Sequence, residues 1–331
     1  MDSLTQIALG AAVGHAVLGR KLGRRALVYG ALLGTLPDLD VLVPMGGAIE
    51  NFTYHRGASH SWLVHSAVAP LFAWGLARLH RAREISLGRW ICFVWSILFT
   101  HALLDVFTVY GTQVFWPLTT APLALGSIFI IDPLYTLPLL VGCVLAWRRK
   151  LAPGATRGVA VGLILSTLYL LWSLGAQRLV LSEAQASLAA RGLPRLQVLA
   201  TPAFFNTLLW RLVTIDGERY FEGFYSLVDG APVEWHERPR EASLVAPLAS
   251  EWSLQRLQWF THGFWAVEHE GDDLVLVDLR MGLYPNYVFR FRLGQCQGDG
   301  RVVPAPVERR RRPFDTGRLA WGFSRIWTPT P

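Results

Sequence analysis

Residues 1–176 are divided into six apolar stretches, at about 3–19, 26–43, 62–79, 89–109, 122–147 and 158–175. Inside a bilayer no water bonds the backbone, so each N–H and C=O must be satisfied within its own segment, and a helix does that. The series predicts an α-helical membrane domain of about six segments over residues 1–176. Several stretches are short or carry polar side chains, which suits helices lining a protein interior better than lone lipid-facing spans. Composition agrees: 52% of the 331 residues are hydrophobic and 17% charged, against roughly a quarter charged in ordinary soluble domains.

The basic residues are distributed unevenly. Connections after the first, third and fifth stretches hold Arg20, Lys21, Arg24 and Arg25; then Arg78, Arg81, Arg83 and Arg89; then Arg148, Arg149, Lys150 and Arg157. Those after the second and fourth hold Arg56 as their one basic residue. The positive-inside rule places the first set in the cytoplasm. A multi-pass protein of the cytoplasmic (inner) membrane is therefore expected, with the polar clusters and everything after residue 176 outside. The net charge of +7 is then a topology signal. No aromatic–basic pattern marks a nucleic-acid partner, and the lipid bilayer is the expected one. Cys92, Cys143 and Cys296 form neither a disulfide framework nor a CxxC zinc pair. Stretch 3–19 lacks a basic n-region and cleavage site, so it is expected to be retained.

After residue 176 the pattern changes. An amphipathic stretch at 179–191 precedes segments rich in aromatic and β-branched residues, at 206–216, 219–228, 259–269, 273–280 and 286–293, with Asp216-Gly217 and Asp229-Gly230 as turns. These predict a small extramembrane, mainly antiparallel β domain over 177–331, with a helix near 244–258. The tail carries Glu308, Arg309 to Arg312 and Pro313, and is expected to be a solvated basic run without regular structure.

Three polar clusters interrupt the apolar half: Pro37-Asp38-Leu39-Asp40, His55 to Ser61, and His101 to Asp105. An ionisable residue at membrane depth costs roughly 2.5–3.5 kcal/mol on insertion scales unless something compensates it, which makes each cluster a site candidate. At 1.5 Å of rise per residue from the cytoplasmic helix ends, Asp38 and His101 lie roughly 18 Å up, Asp105 and Asp132 roughly 24 Å, and His60 roughly 27 Å. His15, at roughly 8 Å, falls outside that layer.

His101 and Asp105 stand i, i+4, so one helix face presents both. Imidazole nitrogen and carboxylate oxygen together suit zinc, manganese or iron. Pro37 should break the second stretch, and in an extended segment Asp38 and Asp40 would share a face and converge on one or two metals. His60, at the mouth of the third stretch, completes an expected ligand set of Asp38, Asp40, His60, His101 and Asp105. His55 is placed as proton donor or acceptor, and Arg56 as a planar clamp for an anionic group. Ser59 and Ser61 read as helix caps, His65 as structural, and Asp132 before Pro133 as an N-cap.

Taken in order, Met1 to Gln6, Pro37 to Asp40, His55-Arg56-Gly57 with Ser59-His60-Ser61, and His101 to Asp105 with Gly111 and Pro117 resemble the YdjM-like family. The resemblance covers roughly residues 1–147, and residues 177–331 look like the extension of its longer members. It implies a membrane-bound metal-dependent hydrolase. The family commonly has His where this chain has Gln6.

The leading expectation is a hydrolase at the outer membrane face, with a divalent transition metal, zinc foremost, acting on a membrane-near small or lipid ester or phosphoester. A lipid phosphatase with a histidine nucleophile is weighed against it, but its KxxxxxxRP element is absent. An ion or solute transporter using intramembrane Asp and His, or a membrane anchor for a binding β domain, are the non-enzymic readings.

Overall fold

In a computed structural model, residues 1–80, 84–149, 155–193, 196–228, 230–312 and 317–328 are described. Arg81, Arg83, Lys150, Asp229 and Pro313 from the expectations above lie outside them. The helices are α1 (Ser3–Leu22), α2 (Arg24–Thr35), α3 (Ala48–Tyr54), α4 (Trp62–His80), α5 (Leu87–Val106), α6 (Pro133–Arg149), α7 (Ala155–Ala190), α8 (Trp252–Phe260) and α9 (Gly317–Arg325). The strands are β1 (Val198–Pro202), β2 (Leu209–Asp216), β3 (Arg219–Ser226), β4 (Glu234–Pro239), β5 (Trp265–Glu270), β6 (Asp273–Asp278), β7 (Gly282–Leu283), β8 (Asn286–Tyr287), β9 (Arg290–Cys296) and β10 (Val302–Arg310). The chain forms two compact units: Met1–Val43 with Tyr54–Ser173, and Pro44–Thr53 with Leu174–Pro331.

The first unit is helical. Asp2 caps α1 by accepting from the Thr5 backbone N–H, and Gly23, at φ 55°, turns the chain directly into α2. The two helices meet backbone to backbone, because a Cβ on Gly10 would lie 2.3 Å from the Gly30 carbonyl oxygen. Trp90, Phe93 and Ile97 of α5 are fully buried, and α5 packs against α1, α2 and α4. Pro37 ends α2 as expected, and the chain continues as a 3-10 turn, Pro37–Leu42.

Among the described residues two helices are long and apolar enough to cross a membrane, Leu87–Val106 and Thr156–Ala190. The twelve residues of α2 rise only about 18 Å, well short of a hydrocarbon core of roughly 30 Å. The expected stretch 122–147 is helical only from Pro133, with residues 107–132 irregular apart from a bridge between Thr112 and Leu123. Asp132 caps α6, accepting from the N–H groups of Leu134 and Tyr135 at 3.0 and 3.3 Å. The sixth stretch does not stop at 175: α7 runs for 36 residues and takes in 179–190. Ala176, Val180, Ala184 and Leu188, spaced four apart, share a buried cluster with Ala200, Trp210 and Leu212, so one face of that helix belongs to the second unit.

The second unit contains two four-stranded antiparallel sheets, in the orders β1-β2-β3-β4 and β10-β9-β6-β5, and the β7-β8 hairpin. Val213 and Tyr220 of the first sheet share a core cluster with Ala266, Val275 and Val277 of the second. The Asp216-Gly217 turn is in place, with Asp216 paired to Arg219. The helix anticipated near 244–258 is a 3-10 turn, Ala242–Leu248, followed by α8. The segment 259–269 starts inside α8 and becomes a strand only at Trp265. The tail differs most, since Glu308, Arg309 and Arg310 lie in β10 and α9 follows. Edge strands tolerate such charge, and Arg310 bonds Asp273 at 2.7 Å.

Candidate metal centre

Four of the five expected ligands come together. Donor atoms from Asp38, His60, His101 and Asp105 all lie within 4.8 Å of one another. They arrive from three separate elements: the turn after α2, the loop before α4, and the last turns of α5. The i, i+4 spacing works as expected, with His101 Nε2 3.6 Å from Asp105 Oδ2. His60 Nε2 is 3.1 Å from Asp105 Oδ2 and 3.4 Å from Asp38 Oδ1. His60, His101 and Asp105 are closed off at 0–1% side-chain exposure, whereas Asp38 keeps 18%, so the group opens on the Asp38 side.

Asp40 stands outside the four, and the turn explains it. With three residues per turn, positions i and i+2 of a 3-10 segment face different ways, unlike the extended segment in which both carboxylates would converge. Asp40 instead accepts from the His55 ring at 2.7 Å, the Arg56 backbone N–H at 3.1 Å and Ser59 Oγ at 2.5 Å. It sits behind His60, whose Nδ1 is 3.8 Å from Asp40 Oδ2.

That arrangement sets the imidazole tautomers. The Ser59 hydroxyl proton goes to Asp40, so Ser59 Oγ receives the N–H of His60 Nδ1, 2.9 Å away. His101 Nδ1 is 2.7 Å from the Gly34 carbonyl, a pure acceptor, which makes Nδ1 the protonated nitrogen there too. In the neutral rings both Nε2 atoms then carry lone pairs, and they face each other at 3.1 Å. Two lone pairs at that distance repel unless a cation or shared proton lies between them. Asp105 Oδ2, in the same space, is buried with no hydrogen-bond donor. Nitrogen and oxygen donors aimed at one point, with each ring fixed from behind by an oxygen, make up the donor set of a divalent metal site. The residues fit a metal.

The other carboxylate oxygen of Asp105 is fully engaged. The Met1 amino group donates to Oδ1, as does Gln6 Nε2 at 3.1 Å, and Arg56 Nη2 is 3.4 Å away. Gln6 therefore reaches the site through Asp105. Arg56, expected as an anion clamp, is 3% exposed. Its Nη1 donates to Thr108 Oγ1 at 3.1 Å and its guanidinium lies 5.1 Å from the Tyr110 ring centre. Its backbone is at φ 60°, a left-handed conformation that costs a non-glycine residue about 1–3 kcal/mol and is held only by strong surroundings. His55, bonded to Asp40, keeps 23% side-chain exposure. His65 Nε2 bonds the Ser59 carbonyl at 2.8 Å, as a structural residue would. His15 is buried in α1 and is not among the four.

The sequence reading missed four partners: the Met1 amino group, the Gly34 carbonyl, the Ser59 hydroxyl as a bridge between His60 and Asp40, and Thr108. Only the last left a signal, as a hydroxyl three residues beyond Asp105.

A family model described as YdjM inner membrane protein matches residues 1–180. An uncharacterized protein, YfhP, of Bacillus subtilis (strain 168) is 28% identical over 168 residues, 47% of this chain and 49% of that protein. The chain thus spans about half the length of this curated relative. No solved structure matches the chain.

Proposed function

Because the chain belongs to the YdjM inner membrane protein family, we propose that it is a metal-dependent hydrolase of that membrane. The observation that carries this reading is the convergence of Asp38, His60, His101 and Asp105 donors within 4.8 Å. A divalent metal there, zinc first and manganese or iron as the other options, would supply an acidified water and stabilise oxyanion charge. Asp38, His60, His101 and Asp105 hold it. Asp40, through Ser59, and the Gly34 carbonyl orient the two rings, and Arg56 braces Asp105. His55, bonded to Asp40, passes the proton to or from substrate. The substrate class is an ester or phosphoester presented near the membrane.

The proposal extends to topology: about six segments, with the site and residues after 176 on the outer side, supported by the alternation of basic connections. Cysteine labelling after residues 50 and 200 should report the outside at both places, and a cytoplasmic report at either refutes that part. The activity is tested on detergent-purified protein by elemental analysis and by phosphoester or ester hydrolysis, each before and after chelation. Stoichiometric metal, with hydrolysis lost on chelation and regained with a divalent ion, is expected. Hydrolysis that persists in His101→Ala and Asp105→Ala would overturn the reading.

A further inference from the structure

In the first unit a groove of about 680 Å³ runs between α6 and α7, from Leu134 beside the Asp132 cap to Arg149. Leu137, Val141 and Leu145 recur along α6 at helical spacing and form one wall, and Val161 and Leu165 of α7 form the other. The floor is backbone. A Cβ on Gly142 would lie 2.8 Å from the Gly158 carbonyl oxygen, and one on Gly162 2.4 Å from that of Pro138, so the helices touch without side chains between them. Leu137, Val141, Val161 and Leu165 are each about half exposed, and α7 here belongs to one of the two membrane-length helices.

The groove has a polar end. Arg149 closes α6, Arg157 opens α7, and both line it, with no acidic residue among the lining side chains. From Leu137 to Arg149 the helix rises about 18 Å, close to the roughly 15 Å depth of one hydrocarbon leaflet.

We propose that this groove holds one anionic phospholipid, with an acyl chain along the glycine floor and the phosphate between Arg149 and Arg157. A guanidinium offers phosphate a planar fork of donors, and basic pockets between membrane helices select anionic headgroups. The N-terminus of α7, at the same end, adds the positive end of a helix dipole. A zwitterionic lipid fills the apolar part equally well but brings a cationic group to two arginines. Headgroup charge therefore decides occupancy. The site is independent of the metal centre.

The test is native mass spectrometry of the full chain in detergent, titrated with dioleoyl phosphatidylglycerol or dioleoyl phosphatidylcholine. One phosphatidylglycerol retained per chain, at least several-fold over phosphatidylcholine, is expected. Arg149→Gln with Arg157→Gln, both at exposed positions, should equalise the two lipids. Val141→Trp, which fills the groove, should lower retention of both. Equal retention by the unaltered protein, or a preference that survives the arginine changes, overturns the proposal. A dimer that retains no lipid and dissociates in Val141→Trp would give the groove to a second copy and overturn it as well.

Discussion

In the β unit three buried arginines face carboxylates. Arg211 Nε donates to Glu222 at 2.6 Å, Arg280 grips Asp278 with its closest contact at 2.8 Å, and Arg290 reaches Glu268 and Glu270 at 2.7 and 2.5 Å. In the helical unit two carboxylates and two imidazoles point at one spot, and Asp105 Oδ2 has no donor. Buried charge matched by opposite charge serves packing, and it often adds little net stability because desolvation offsets the attraction. Buried donors that converge and stay open are arranged for something else. The same distinction applies to hydroxyls: Tyr220 and Tyr287 pair at 2.8 Å, and burial pushes Tyr220 up to about 12, so the pair stays protonated at any ordinary pH.

The contrast can be broken most directly at His101. His101→Ala should reduce bound metal in purified protein to background, while His15→Ala, equally buried, should leave it unchanged; equal metal in both would erase the difference between the units. Asp278→Ala should do the reverse, leaving Arg280 buried without its partner at a cost of about 3–5 kcal/mol. Denaturation monitored on the β unit should show that loss with metal content intact. Ser59→Ala and Asp40→Asn probe the orienting layer: metal should still bind, but about 10–100-fold more weakly, as read from competition with a chelator. Complete loss in either variant would make it a ligand in its own right. The smallest effect is expected at Tyr220→Phe, about 1 kcal/mol of stability for one hydrogen bond, with no change in metal affinity.

The meeting of His101 and Asp105 was legible in the sequence because it rested on helical spacing, which the backbone sets. The i, i+4 geometry of His101 and Asp105 follows from α5 alone. Asp40 lies outside the group of four because after the proline break the backbone keeps coiling into a 3-10 turn, a geometry that the sequence did not distinguish from an extended or broken segment. The burial of Arg56, placed from sequence as an anion clamp, was not legible because it depends on Thr108 and Asp105, about fifty positions away. The Gly34 carbonyl could not be anticipated from side-chain chemistry at all. In the β unit, β1, β4 and β10 escaped notice because charges and prolines obscure strands such as Glu234–Pro239 and Val302–Arg310, whose cue is pairing with a distant partner.

One stretch of chain changes how this protein can be dissected. Residues 44–53 lie between Asp40 and His55 in sequence, yet they are built into the second unit. Phe52 is 5% exposed and packs its ring 4.8 Å from Phe260, 4.4 Å from Phe289 and 5.1 Å from Phe291, and Arg256 donates to Thr53 at 3.0 Å. A gene cut after residue 176 would strand this aromatic anchor without its socket, on a loop between the metal-site residues Asp38 and His60.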